Sequence, residues 1–195
     1  MQDIEPHYAW RDYYKAEEDE LSPFYNKEYS EFFYSNKVYN YVIHPQWDNF
    51  GSDTLYAKIL FVHYEQKVAI IELLGEWNDL LYNDIMPFKN IIIDKLITQG
   101  IKFFVIIGEH ILTFHSDSDE YYCDWFFDIE AESAQKGWIC FVNFNENVKA
   151  ECRLIELDKY IHILDEDIAW RTIQPKFIFG YINDVIKNSI LNSNA

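Results

Sequence analysis

The chain predicts an α/β domain on a mixed sheet: an antiparallel hairpin first, parallel inner strands after it, and helices mainly on one face. Three observations lead there. Between residues 67 and 164, short apolar runs alternate with segments whose apolar residues recur every three or four positions. Those segments carry their own boundary signals, such as Pro87 and Gly100, Gly137 and Asn145. Two runs, Phe103-Phe104-Val105-Ile106-Ile107 and residues 138–144, are apolar on both faces, as interior parallel strands are.

Residues 1–38 read as an extension packed on a main domain of residues 39–195. It is rich in Tyr, Trp and Phe, carries the acidic run Glu17-Glu18-Asp19-Glu20, and has no clean period. So many aromatic rings cost too much in water to be left there. Residues 39–43 predict a strand closed by His44-Pro45, and residues 46–54 a turn-rich loop. Residues 55–64 and 68–74 predict a hairpin turned by Glu65-Gln66-Lys67, its second strand ended by Gly75. A helix over residues 84–99 carries Ile85, Phe88, Ile92 and Leu96 on one face, with Pro87 in its first turn and Gly100 as a left-handed stop.

The second helix spans residues 119–136, with Tyr122, Trp125, Phe126, Ile129 and Ser133 inward. Asn145 caps a third helix with Val148, Cys152 and Ile155 inside. Residues 160–164 give a last strand, and a final helix starts near Pro175. Inner strands apolar on both sides need a second cover, and the aromatic extension is expected to supply it, alone or within a homodimer.

The chain of 195 residues bears a net charge of -17, with a pI near 4.6. Such a field opposes binding to nucleic acid and to anionic lipid. No window approaches the ~18 apolar residues of a membrane span, and the N-terminus does not read as a secretory signal. Cys123, Cys140 and Cys152 are odd in number and lack CxxC spacing, which points to reduced thiols and a cytoplasmic location.

The order of elements resembles the STAS domain, the fold of bacterial anti-sigma-factor antagonists and of sulfate-transporter cytoplasmic tails, over about residues 55–190. Val68-Ala69-Ile70-Ile71-Glu72-Leu73-Leu74-Gly75-Glu76 resembles the family's second strand with its Gly-Glu end. Residues 103–108 resemble the strand leading to its regulatory loop, and residues 137–161 its closing strand, helix and strand.

The resemblance implies a regulatory module acting through a protein partner, with a phosphorylated serine before the second helix. The matching segment is His115-Ser116-Asp117-Ser118-Asp119-Glu120, so Ser116 and Ser118 are the candidate phosphoacceptors, with His115 and Asp117 in the partner loop. A phosphate at a helix start gains from free backbone amides. The family's glycine is missing, and Asp117, Asp119 and Glu120 oppose added charge. Ser118 reads more safely as a cap for that helix, and the acidic residues of its first turn fit the same reading.

Signatures of catalysis are sparse. GxSxG and Gly-rich phosphate loops are absent from the sequence, and no cofactor is expected. His110 and His115, two histidines on a strand–loop segment, read as a solvated edge in preference to a metal site. Glu72 and Glu76 share one side of an extended strand and read as its solvated end. Trp47, Asp48 and Phe50 suit either an exposed interaction loop or a plug at the end of the sheet. The alternative to a recognition module is a small-molecule-binding or small enzyme domain using loops at the carboxyl ends of the strands.

Overall fold

A computed structural model describes residues 3–30, 32–131 and 136–193. Its main sheet has five strands: β3 (Leu55–His63), β4 (Val68–Asn78), β5 (Phe103–His115), β6 (Trp138–Val142) and β7 (Ile161–Ile163), side by side in that order. β3 pairs antiparallel with β4, and every later neighbour pairs parallel. This is the mixed sheet that the sequence predicts. Before it, residues 39–43 do not form one strand. Tyr39 turns at φ +51°, which splits the segment into a small antiparallel pair, β1 (Lys37–Val38) and β2 (Tyr41–Val42).

Helices α1 (Asp79–Tyr82), α2 (Ile85–Pro87), α3 (Asp94–Thr98), α4 (Glu120–Ala131), α5 (Glu146–Leu154) and α6 (Pro175–Ser193) complete the fold. Residues Phe88–Ile93 form a π-helical turn between α2 and α3, so one winding path runs from Ile85 to Thr98. Ile85, Phe88, Ile92 and Leu96 are all buried, as their spacing predicts. Burying four such side chains contributes roughly 6–12 kcal/mol before entropy is subtracted. The π turn also brings Lys89 inward, where its ammonium meets Asp94 at 2.8 Å and Asp128 at 2.6 Å. Tyr122, Trp125 and Ile129 form the inner face of α4, and Ser133 lies outside the described residues.

The path from α2 to α3, together with α4 and α5, lies on one face of the sheet, over Ile71, Phe104, Ile106 and Ile139. The other face is covered mainly by α6, through Ile178, Ile182 and Ile186, and by Trp170. The N-terminal extension adds Trp10 to that second layer, while its Ala16 and Phe24 join the first core. The extension therefore passes around the β3 side of the sheet. It supplies part of the cover, and α6 corrects the expectation that it would supply all of it.

Gly75 does not end its strand. At φ +124° it forms a bulge, and β4 continues to Asn78 beside a β5 that runs on to His115. A Cβ at Gly75 would stand 2.0 Å from the Thr54 carbonyl oxygen. Gly75→Ala combines that clash with a strained φ and is expected to cost roughly 2–5 kcal/mol, read as a lower urea midpoint with unchanged m.

Candidate functional site

The parallel strands deliver their loops to one end of the sheet. Leaving β4, the chain meets Asp79, whose carboxylate draws four groups together. It accepts the Trp77 indole N–H at 3.0 Å, the Ile85 amide at 2.9 Å and the Tyr122 hydroxyl at 2.6 Å, and it also bonds Ser116. Burial raises its pKa against the pull of these donors. Asp84 is fully buried and accepts from Ser52 at 2.6 Å, Thr54 at 3.2 Å and the Asn78 amide at 2.8 Å. α1 and the segment before α4 are thereby held side by side.

The candidate phosphoacceptor segment lies beside α1. His115, Asp117 and Ser118 are exposed and Ser116 is half-buried. The Ser116 hydroxyl donates to the Ser118 carbonyl at 3.0 Å, and the Ser118 hydroxyl oxygen accepts from the Glu120 amide at 3.3 Å. Ser118 thus makes a capping contact to the first residue of α4 while its side chain stays open to solvent. α1 itself buries none of its residues: Leu80, Leu81 and Tyr82 are 53%, 75% and 43% exposed.

Trp47, Asp48 and Phe50 are buried, which makes this loop a plug and takes its side chains out of a partner's reach in this conformation. The Trp47 indole donates to the Ile4 carbonyl at 2.8 Å, and Phe50 packs on Phe88 with ring centroids 5.5 Å apart. Asp48 pairs its backbone with Ala57 and its carboxylate with Lys27 at 2.8 Å and Tyr29 at 2.7 Å.

His110 and His115 do not form a pair: His110 faces Glu72 and Arg171, whereas His115 is exposed. Among the described residues, no group of three or more His, Cys, Asp or Glu side chains gathers to hold a metal ion.

The buried surroundings of Glu72 overturn its reading as part of a solvated strand end. Its carboxylate is 0% exposed. One oxygen accepts the His7 amide at 2.9 Å, and the other meets the Arg171 guanidinium at 3.1 Å and His110 at 3.7 Å. Arg171 also pairs with Glu109, which accepts the Trp170 indole N–H at 3.1 Å. His7, Trp10 and Trp170 stack edge to face above this centre. Burial pushes the Glu72 carboxyl up to about 7, against the His7 amide and Arg171, which favour its charged form. Burial, seconded by Arg171, holds the His110 pKa below its ordinary value. Residues near the start of the chain and just before α6 are thus tied to one buried carboxylate, with Glu109 and Arg171 on the solvent side of the cluster.

Comparison with known proteins places the chain in no family. No family model matches it, and no curated protein matches it. Among solved structures, one that matches is the Bacillus cell fate determinant SpoIIAA in its phosphorylated form. It is 16% identical, covers 56% of this chain and 92% of its own, and superposes with a TM-score of 0.37. The α/β architecture accordingly stands on the strand order and pairing themselves. Among the described residues, no helix is long and apolar enough to cross a membrane.

Proposed function

We propose that this chain is a cytoplasmic regulatory module that acts through a protein partner and carries out no catalysis of its own, in the manner of the anti-sigma-factor antagonists that its sequence resembles. The partner loop is residues 115–119, with Ser116 and Ser118 as its candidate phosphoacceptors. The observation that carries this reading is the open position of that segment next to α1, a helix that leaves three consecutive apolar side chains in water. An exposed run of this kind beside a loop anchored by buried carboxylates suits contact with another protein or a second copy of the chain.

Phosphate on Ser118 would add acceptor oxygens beside the Glu120 amide and bring a charge near -2 against Asp117 and Asp119. The helix start attracts that charge and the acidic side chains repel it, so the modification would change the shape of the loop. Small-molecule chemistry at these loops has less support. A cleft of about 680 Å³ lies at the opposite, amino end of the parallel strands, beside Phe103, Trp138 and Ile161.

The test is Ser116→Ala combined with Ser118→Ala, made in the chain's native cells. Loss of bound phosphate by intact mass, with a change of about tenfold in capture of a stoichiometric partner, supports the reading. Phosphate content and capture both equal to the parent would remove the phosphoregulatory part. A single metabolite giving saturable thermal stabilisation would favour a ligand-binding domain instead.

A further inference from the structure

We infer that the partner meets this face through a basic amphipathic segment, one side Lys- or Arg-rich and the other apolar. This rests on the recognition reading above and names the chemistry of its partner. The segments leaving the carboxyl ends of β4, β5, β6 and β7, residues 79–84, 116–119, 143–145 and 164–169, hold seven Asp or Glu and no Lys or Arg. Asp117, Asp165, Glu166 and Asp167 are exposed among them.

Cations that come near are already engaged. Lys149 pairs with Glu146, Arg153 with Asp165, and Arg171 with Glu72 and Glu109. The β1–β2 hairpin adds one exposed lysine, Lys37. Carboxylates crowded on one end repel one another, and a cationic partner relieves that repulsion while hastening encounter.

Charge alone would leave Leu80, Leu81 and Tyr82 in water. The same partner must therefore offer an apolar stripe, which an amphipathic helix supplies at positions three and four apart. A purely polar cation would satisfy the acids and not α1, and an apolar segment without charge would satisfy α1 and not the acids. Nucleic acid and anionic lipid are both repelled by a net charge of -17.

The probe is a labelled, helical Leu/Lys peptide, with a Leu/Glu peptide of the same apolar pattern as control, titrated into the full chain at low salt. Saturable one-to-one binding of the first and none of the second is expected. Asp117→Lys with Asp119→Lys, and separately Leu81→Asp, should each weaken it about tenfold, and the loss should shrink as salt rises for the charge variant only. Glu151→Lys with Asp184→Lys reverses equal charge at exposed sites on α5 and α6 and should weaken binding less than about threefold.

Equal losses from the two double reversals would show that bulk charge alone attracts the peptide, and would overturn the inference. So would failure of the Leu/Lys peptide to bind. If in either case the Ser116 and Ser118 substitutions still alter capture of the natural partner, recognition stands and only its basic chemistry falls.

Discussion

Glu72→Gln is expected to flatten the pH dependence of stability between about pH 4.5 and 7 and to stabilise the protein by up to about 3 kcal/mol at pH 8. The carboxyl titrates near 4.5 in an unfolded chain and near 7 in the fold. An acid whose pKa rises on folding favours the fold while protonated. That contribution is complete below pH 4.5, fades as pH rises through about 7, and is absent above it. Gln keeps the shape and has no proton to lose; its single oxygen takes the place that accepts the His7 amide, and its amide nitrogen takes the place that faced Arg171, so that one bond is given up. Arg171 retains Glu109 and reaches solvent, so it is not stranded. His110 works in the opposite sense: its depressed pKa favours the fold at higher pH and withdraws that support as pH falls. Urea midpoints at half-unit steps from pH 4.5 to 8 separate the two. A Gln variant with the parent's slope would show that Glu72 is not the titrating group.

The difference between Glu72 and its neighbours shows where sequence reasoning reaches. Ile85, Phe88, Ile92 and Leu96 announce their common face because the information is local, repeated every three or four residues. The Asn145 cap is local too: its side chain accepts from the Val148 amide at 3.0 Å, three residues on. Glu72 is governed by His7, 65 positions earlier, and Arg171, 99 positions later. Nothing within its own strand says that both will arrive, so alternation alone assigned it to solvent.

Gly75 misleads for a related reason. A glycine in a strand run marks either an end or a bulge, and only the pairing of β4 with β5 beyond it decides for the bulge. The π turn at Phe88–Ile93 has no composition signal, since its effect is to rotate Lys89 towards acidic partners on α3 and α4. The loop of Trp47, Asp48 and Phe50 was open to two readings because its burial depends on Ile4, Tyr29 and Phe88, all remote in sequence. By contrast, the acidic character of the carboxyl-end loops was fully written in the chain. What the fold adds is their placement at one end of the sheet, with residues 116–119 beside α1.

Removing residues 1–38 should leave a chain without a stable fold, one that binds anilinonaphthalene sulfonate and aggregates at 25 °C. Trp10 and Phe24 lose roughly 3–6 kcal/mol of burial between them. Asp48 is fully buried and takes Lys27 and Tyr29 from the extension; without them it keeps only the more distant Lys58, at 3.5 Å. Stripping one partner from a buried carboxylate costs about 3–5 kcal/mol. Glu72 loses the His7 amide, and the Trp47 indole loses the Ile4 carbonyl. Together these terms reach the ~5–15 kcal/mol that holds a typical domain. Truncation would also uncover Leu60 and Phe61 on β3, the edge strand of the sheet, which favours strand-to-strand association.

A milder variant keeps the argument testable if the truncation cannot be purified. Trp10→Ala in the full chain should lower stability by about 3–5 kcal/mol. It removes the edge contacts with His7 and Trp170 and the indole bond to the Ile173 carbonyl. A soluble truncated chain with the parent's urea midpoint, or a Trp10→Ala protein shifted by less than about 1 kcal/mol, would mean that α6 and Trp170 close the second face unaided.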